Sequence, residues 1–268
     1  MTDVAETKQA GPVLADRRGA VLVITLNRPD RFNAWTDELE DRYFALLEEA
    51  EADPEVRVIV VTGAGRGFCA GMDMEALTDV GNLGELAQRA RPKSYPLTIR
   101  KPLIAAINGA AAGLGLVEAL YCDIRFSTPK AKLTTAFARR GLIAEYGIAW
   151  LLPRLIGPSR ALDLLLSSRV VQGEEALAMG LVDRVVEPEA LLDEAVAYAA
   201  ELAAFCSPNS MAVIKEQVRR GLDTGFAAAV AEADRLMPES FRHPDATEGV
   251  NSYLEGRPPA FLPLGGPA

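Results

Sequence analysis

The segment from Ala105 to Asp123 reads AAINGAAAGLGLVEALYCD: an apolar run breaks at Asn108-Gly109 into small residues, and these open a helix. Such a break restricts the chain to a fold in which a buried strand runs through a close-packed turn into a helix. The peptide N–H groups around Gly113 and Leu114 have no intrahelical acceptor, and the helix dipole adds partial positive charge where they point. Residues 58–73, VIVVTGAGRGFCAGMD, end a second apolar strand in another glycine-rich turn. Two such turns can hold one oxygen between two amides, an oxyanion hole. For a single loop the plain alternative is turn chemistry, glycine serving positive φ or close packing; two loops in one chain favour the anion reading. Neither is a nucleotide motif: no GxxxxGK[ST] occurs, and Gly63-Ala-Gly-Arg-Gly-Phe lacks the last glycine of GxGxxG.

At these residues the chain resembles the crotonase superfamily, the enoyl-CoA hydratases and isomerases. The matching pieces stand in family order: Leu26-Asn-Arg-Pro-Asp-Arg-Phe-Asn-Ala34, Gly67-Phe-Cys-Ala-Gly-Met-Asp73, Asn108 to Asp123, and Gly141-Leu-Ile-Ala-Glu-Tyr-Gly147. Leu152-Pro-Arg-Leu-Ile-Gly157, Ala176-Leu-Ala-Met-Gly-Leu-Val182 and Glu248-Gly-Val-Asn-Ser-Tyr-Leu254 follow, so the resemblance covers residues 18 to 262. Any one piece is weak; seven in order are specific. The resemblance implies an acyl-CoA thioester as substrate, with coenzyme A entering as part of it and no separate cofactor.

Composition sets broader limits. A chain of 268 residues, 49% hydrophobic, can bury a full core. Its first residues lack the apolar core of a signal peptide, and no run reaches the length of a membrane span, so a soluble protein is expected. Cys69, Cys122 and Cys206 are widely spaced, without CxxC or a paired His. Neither a disulfide framework nor a metal site is expected, and a reducing cytoplasm fits. A net charge of −9 argues against nucleic-acid and anionic-membrane partners. Coenzyme A needs only a local cluster, and the resemblance places Arg31, close to Arg28, near its phosphates; as solvated turn residues both would need no ligand.

Periodicity predicts strands at Val21 to Asn27, Val56 to Thr62 and Leu103 to Ile107, the last two as continuous apolar runs buried on both faces. Thr36 is the expected N-cap of a helix with Leu39, Tyr43, Leu46 and Leu47 on one face. Residues 158 to 240 read as helices: Ser159 to Ser167, Glu174 to Met179, Glu189 to Phe205, Ser210 to Arg220, Phe226 to Met237. The pattern is α/β, with a strand-rich repeating front and a helical back. The resemblance adds a spiral of ββα repeats over 18–205 after a flexible segment 1–17. It also adds a helical region, 206–268, through which subunits form a homotrimer or hexamer.

A thioester carbonyl held by two amides has an acidified α-carbon, because the enolate oxygen carries the charge those donors meet. The expected donors are the amides of Met72 and Leu114. Ala70, Gly71, Asp73 and Met74 around the first, Gly113 before the second, and Phe137 are the expected substrate contacts. A base must then reach the carbon. The one histidine, His243 in FRHPD, has no partner set for a nucleophilic mechanism and reads as a turn residue at a helix start. The base is therefore a carboxylate. Against the hydratase pattern the first family glutamate falls on Val117, with Glu118 one residue beyond and turned by about 100° along a helix; the second falls on Phe137. Glu145 stands where certain enoyl-CoA isomerases resembling this chain carry their carboxylate, in GL-x-x-E-x-G form. As a plain alternative, an acid at a helix start complements the dipole.

Hydration needs one group to activate water and one to protonate the α-carbon, a task commonly shared by two carboxylates; moving a double bond from β,γ to α,β needs one base. Isomerisation is therefore the expected reaction, with hydration as the alternative. A non-catalytic acyl-CoA-binding protein is the third reading, because the same loops bind a ground-state thioester. Met72, Met74, Leu77 and Leu83 are candidates for an acyl wall and equally for core packing. Asp79 to Gly84 reads as a loop able to set substrate size.

Overall fold

The computed structural model describes residues 11–73 and 90–265. Two sheets organise them. The larger takes one strand from each turn of the chain: β1 (Val13–Arg18), β2 (Val21–Leu26), β3 (Val58–Gly63), β5 (Leu103–Ile107), β7 (Ile124–Ser127) and β9 (Arg184–Val185), in that order. The smaller takes β4 (Gly67–Cys69), β6 (Ala110–Ala112) and β8 (Leu133–Thr134). Three times over, a strand of the first sheet is followed by a strand of the second, and only β1 with β2 runs antiparallel. This is the expected spiral.

Alternation along the central strands explains its stability. Val58 and Val60, Ile104 and Ala106 point to one side, where helix α6 (Leu191–Phe205) lays Leu191, Ala195, Ala199 and Ala203 on the sheet. Ile59 and Val61, Leu103, Ala105 and Ile107 point to the other, against α1 (Asp37–Ala52) and α2 (Leu114–Tyr121). A parallel sheet covered on both faces reads as unbroken apolar runs, as these do. Thr36 caps α1 by accepting from the Leu39 amide at 3.3 Å, and Leu39, Tyr43, Leu46 and Leu47 are buried as the periodicity predicts.

Two expectations change. Residues 13–18, placed mostly in a flexible segment, form β1; its sequence VLADRR lies at the sheet edge with charges outward, so it carries no apolar run. Ala110–Ala112, read as part of a loop, pairs with both β4 and β8. After α2 the chain continues through α3 (Ile148–Ile156), α4 (Pro158–Ser167), α5 (Gly173–Met179), α7 (Pro208–Gly221), α8 (Phe226–Arg242) and α9 (Pro244–Glu255). His243 caps α9, its Nδ1 accepting from the Asp245 amide at 3.2 Å. Among the described residues no helix is long and apolar enough to cross a membrane.

Candidate active site

The two glycine-rich turns meet. Gly71 has φ 89°, and a Cβ built there would lie 2.7 Å from the Ala112 carbonyl oxygen and 3.6 Å from the Leu114 nitrogen. Only glycine lets the first turn approach the second so closely. Gly113, at φ 53° and ψ −123°, turns the chain into α2, so that Leu114 is its first residue and its N–H has no intrahelical acceptor. Met72 is presented differently. Its segment bridges to Trp35 in parallel fashion: Trp35 N donates to Gly71 O at 2.8 Å and Asp73 N to Trp35 O at 3.0 Å. In that pattern the Met72 N–H points away from Trp35.

Two asparagines brace the turns. Asn33, buried at φ 56°, donates to the Gly67 and Phe68 carbonyls at 2.8 and 3.1 Å and accepts from the Arg28 amide at 2.8 Å. Asn108 accepts from Gly63 N at 3.2 Å and donates to Gly65 O at 3.0 Å. Arg28 directs its guanidinium to Asp73, at 2.9 Å, and to the Ala34 carbonyl, so it holds the first donor loop. Arg31 is exposed on the adjacent turn. Ala70 is half-buried, its amide donating to Phe32 O at 3.0 Å. Met74, Leu77, Leu83 and the stretch Asp79 to Gly84 lie outside the described residues.

The carboxylates divide by environment. Val117 is fully buried and Phe137 lies in the core, so neither hydratase position holds an acid. Glu118, 3% exposed, faces inward with both oxygens unpartnered among the described residues. Burial first and the nearby Glu40 second push its pKa well above the usual range, against the pull of Lys93. Glu145 is half-buried in the loop before α3. Burial raises its pKa, while a hydrogen bond from the Tyr146 side chain lowers it. Tyr146 adopts φ 54°, and its carbonyl accepts from Tyr121 Oη at 2.6 Å, which fastens the base loop to the far end of α2. Thus one short helix begins with the candidate donor amide and ends at the support of the candidate base. The motif singles out Glu145; Asn33, Asn108 and Tyr146 also lie within the quoted motifs, whereas Trp35 lies just beyond one and carries no signal of its own.

The chain is similar to known proteins over most of its length. A 1,2-epoxyphenylacetyl-CoA isomerase of Escherichia coli is 34% identical over 93% of this chain and 97% of its own. A crystal structure of the enoyl-CoA hydratase EchA12_1 from Mycobacterium marinum is 49% identical, covering 82% of this chain and 100% of that one, with a TM-score of 0.69. A monofunctional enoyl-CoA isomerase from M. smegmatis is 36% identical over 82% of this chain and 98% of its own, with a TM-score of 0.70. Residues 16–263 match the profile described as enoyl-CoA hydratase/isomerase, and the chain belongs to that family, with the crotonase fold.

Proposed function

We propose that the protein moves the double bond of an enoyl-CoA from the β,γ to the α,β position. The observation that carries this reading is the distribution of acids: one half-buried carboxylate with a raised pKa, Glu145, stands at a family base position, while both hydratase positions are occupied by hydrocarbon. The amides of Met72 and Leu114 receive the thioester oxygen. Glu145 takes the α-proton, charge moves onto that oxygen as the enolate forms, and the protonated Glu145 returns the proton to the γ-carbon. Raising the carboxyl pKa by burial brings it nearer the range in which a general base works at neutral pH. Arg31 is the exposed cation we assign to the coenzyme A phosphates, and Arg28 to the loop beneath them. Coenzyme A is part of the substrate, and the working form is a homotrimer or hexamer.

A panel of saturated, α,β- and β,γ-unsaturated acyl-CoAs followed by mass spectrometry in deuterated water tests the reading. Isomerisation exchanges carbon-bound hydrogen and leaves the formula otherwise unchanged. Rapid gain of one water by an α,β-enoyl-CoA would make the protein a hydratase, and tight binding without turnover would make it a carrier.

A further inference from the structure

The second donor amide opens helix α2; among the described residues the first has the bridge to Trp35 instead. What fixes Met72 is the bridge to Trp35, and Trp35 is itself held from the opposite side. Its indole Nε1 donates to Glu40 Oε2 at 2.7 Å, with Trp35 wholly buried and Glu40 1% exposed. Glu40 lies in the first turn of α1, anchored by its Thr36 cap. Lys93 Nζ, from the segment preceding the turn Tyr95–Thr98, ends on the same Glu40 oxygen. The ring packs edge-on to Tyr43 at 5.7 Å and an 85° interplanar angle, and it is tilted against Phe44 at 6.5 Å. The indole five residues before Glu40 and the Lys93 ammonium from a distant segment therefore meet on one carboxylate oxygen, and the indole it grips is one peptide bridge away from the proposed donor amide.

A buried indole N–H needs an acceptor, yet a neutral carbonyl or hydroxyl would satisfy it at less desolvation cost than a carboxylate. A charged acceptor gives a shorter, stiffer bond. Stiffness matters here because an oxyanion donor works only when it is already aimed at the developing charge. We infer that Glu40, acting through the Trp35 indole and braced by Lys93, is a positioning residue that aims the Met72 N–H at the thioester oxygen. The inference rests on the reading of Met72 as a donor.

The test uses the full chain with an α,β-enoyl-CoA carrying ¹³C at the thioester carbonyl, read by isotope-edited infrared spectroscopy, together with kcat and KM on a β,γ-enoyl-CoA. Trp35→Phe keeps an aromatic ring and removes the N–H; Glu40→Leu removes the acceptor; Glu40→Gln restores a neutral acceptor. Wild type should shift the bound carbonyl stretch to lower frequency. Trp35→Phe and Glu40→Leu should shrink that shift and lower kcat by ~10–100-fold with KM within a few-fold, the scale of a slightly misplaced reacting group. Glu40→Gln, whose neutral acceptor keeps the bond but not its charge, should fall between these variants and the wild type in both. Should Glu40→Leu fail to fold, the comparison of Trp35→Phe with Glu40→Gln still decides. A folded Trp35→Phe enzyme with the wild-type carbonyl shift and kcat overturns the positioning role and leaves the donors in place. If wild type shows no carbonyl shift, the donor assignment itself is wrong, and the role of Glu40 falls with it.

Discussion

At the scale of single residues, environment decides what each acid does. Glu145 is partly shielded and receives one phenol, which favours its charged form; Glu118 is sealed among Tyr43, Tyr121 and two cysteines with no hydrogen-bond partner among the described residues, and burial favours its neutral form. Glu145→Gln should therefore reduce isomerisation by ~10²–10⁴-fold while acyl-CoA affinity, measured by titration calorimetry, changes only a few-fold. Tyr146→Phe removes the hydrogen bond that favours the charged carboxylate, so the Glu145 pKa rises further. A base acts when deprotonated. The acidic limb of kcat/KM against pH should then move to higher pH; an unmoved limb would detach Tyr146 from the base. Glu118 has the opposite use of pH. Its folded-state pKa lies above the unfolded one, so the unfolded chain releases this proton first and stability falls as pH rises from the ordinary glutamate range toward the raised value. Glu118→Met fills the same space without a proton to lose. It should raise the thermal midpoint by a few degrees, with the gain over wild type growing as pH rises through that window.

At the scale of elements, α2 links the two halves of the proposed site, because its first amide is the donor we propose and its last residue holds the Tyr146 carbonyl beside the proposed base. Leu114→Pro deletes that donor at the first helical position, where proline is tolerated. Turnover should fall by ~10²–10³-fold in a folded protein that still binds coenzyme A esters, and full activity would remove this helix from the oxyanion hole. Much of the surrounding structure was legible in the sequence because it is local. Leu103–Ile107 and the cap at Thr36 announce themselves by apolar runs and a hydroxyl before a periodic stripe. Ala110–Ala112 does not, since three alanines become a strand only when β4 and β8 arrive from elsewhere in the chain. The same holds for the site. Gly71, Gly113 and Glu145 stand in motifs, whereas the bridge from Trp35 to Met72 and the hydrogen bond from Tyr121 to the Tyr146 carbonyl are products of tertiary folding.

At the scale of the whole molecule, the C-terminal helices pose a problem that one chain does not solve. Helix α8 buries none of its seventeen residues, yet it presents Phe226, Val230, Met237 and Phe241, spaced so that they share one face. Phe226 is 86% exposed and Phe241 71%; Tyr253 and Leu254 of α9 add to the apolar surface. A salt bridge from Arg220 of α7 to Glu232 ties α8 to its neighbour, but exposed ion pairs contribute little. A helix is held mainly by burying its apolar face, and an uncovered patch of this kind marks an interface. A second copy of the chain is the cover we expect, in a head-to-tail contact that closes as a ring of three. Sedimentation at micromolar concentration should give three or six times the 28.7 kDa chain mass. Replacing Phe226→Asp and Phe241→Asp together should shift that distribution toward single chains and lower the thermal midpoint. A wild-type protein that sediments as a stable, active single chain would show that α8 needs no cover, and the trimer would have to be abandoned.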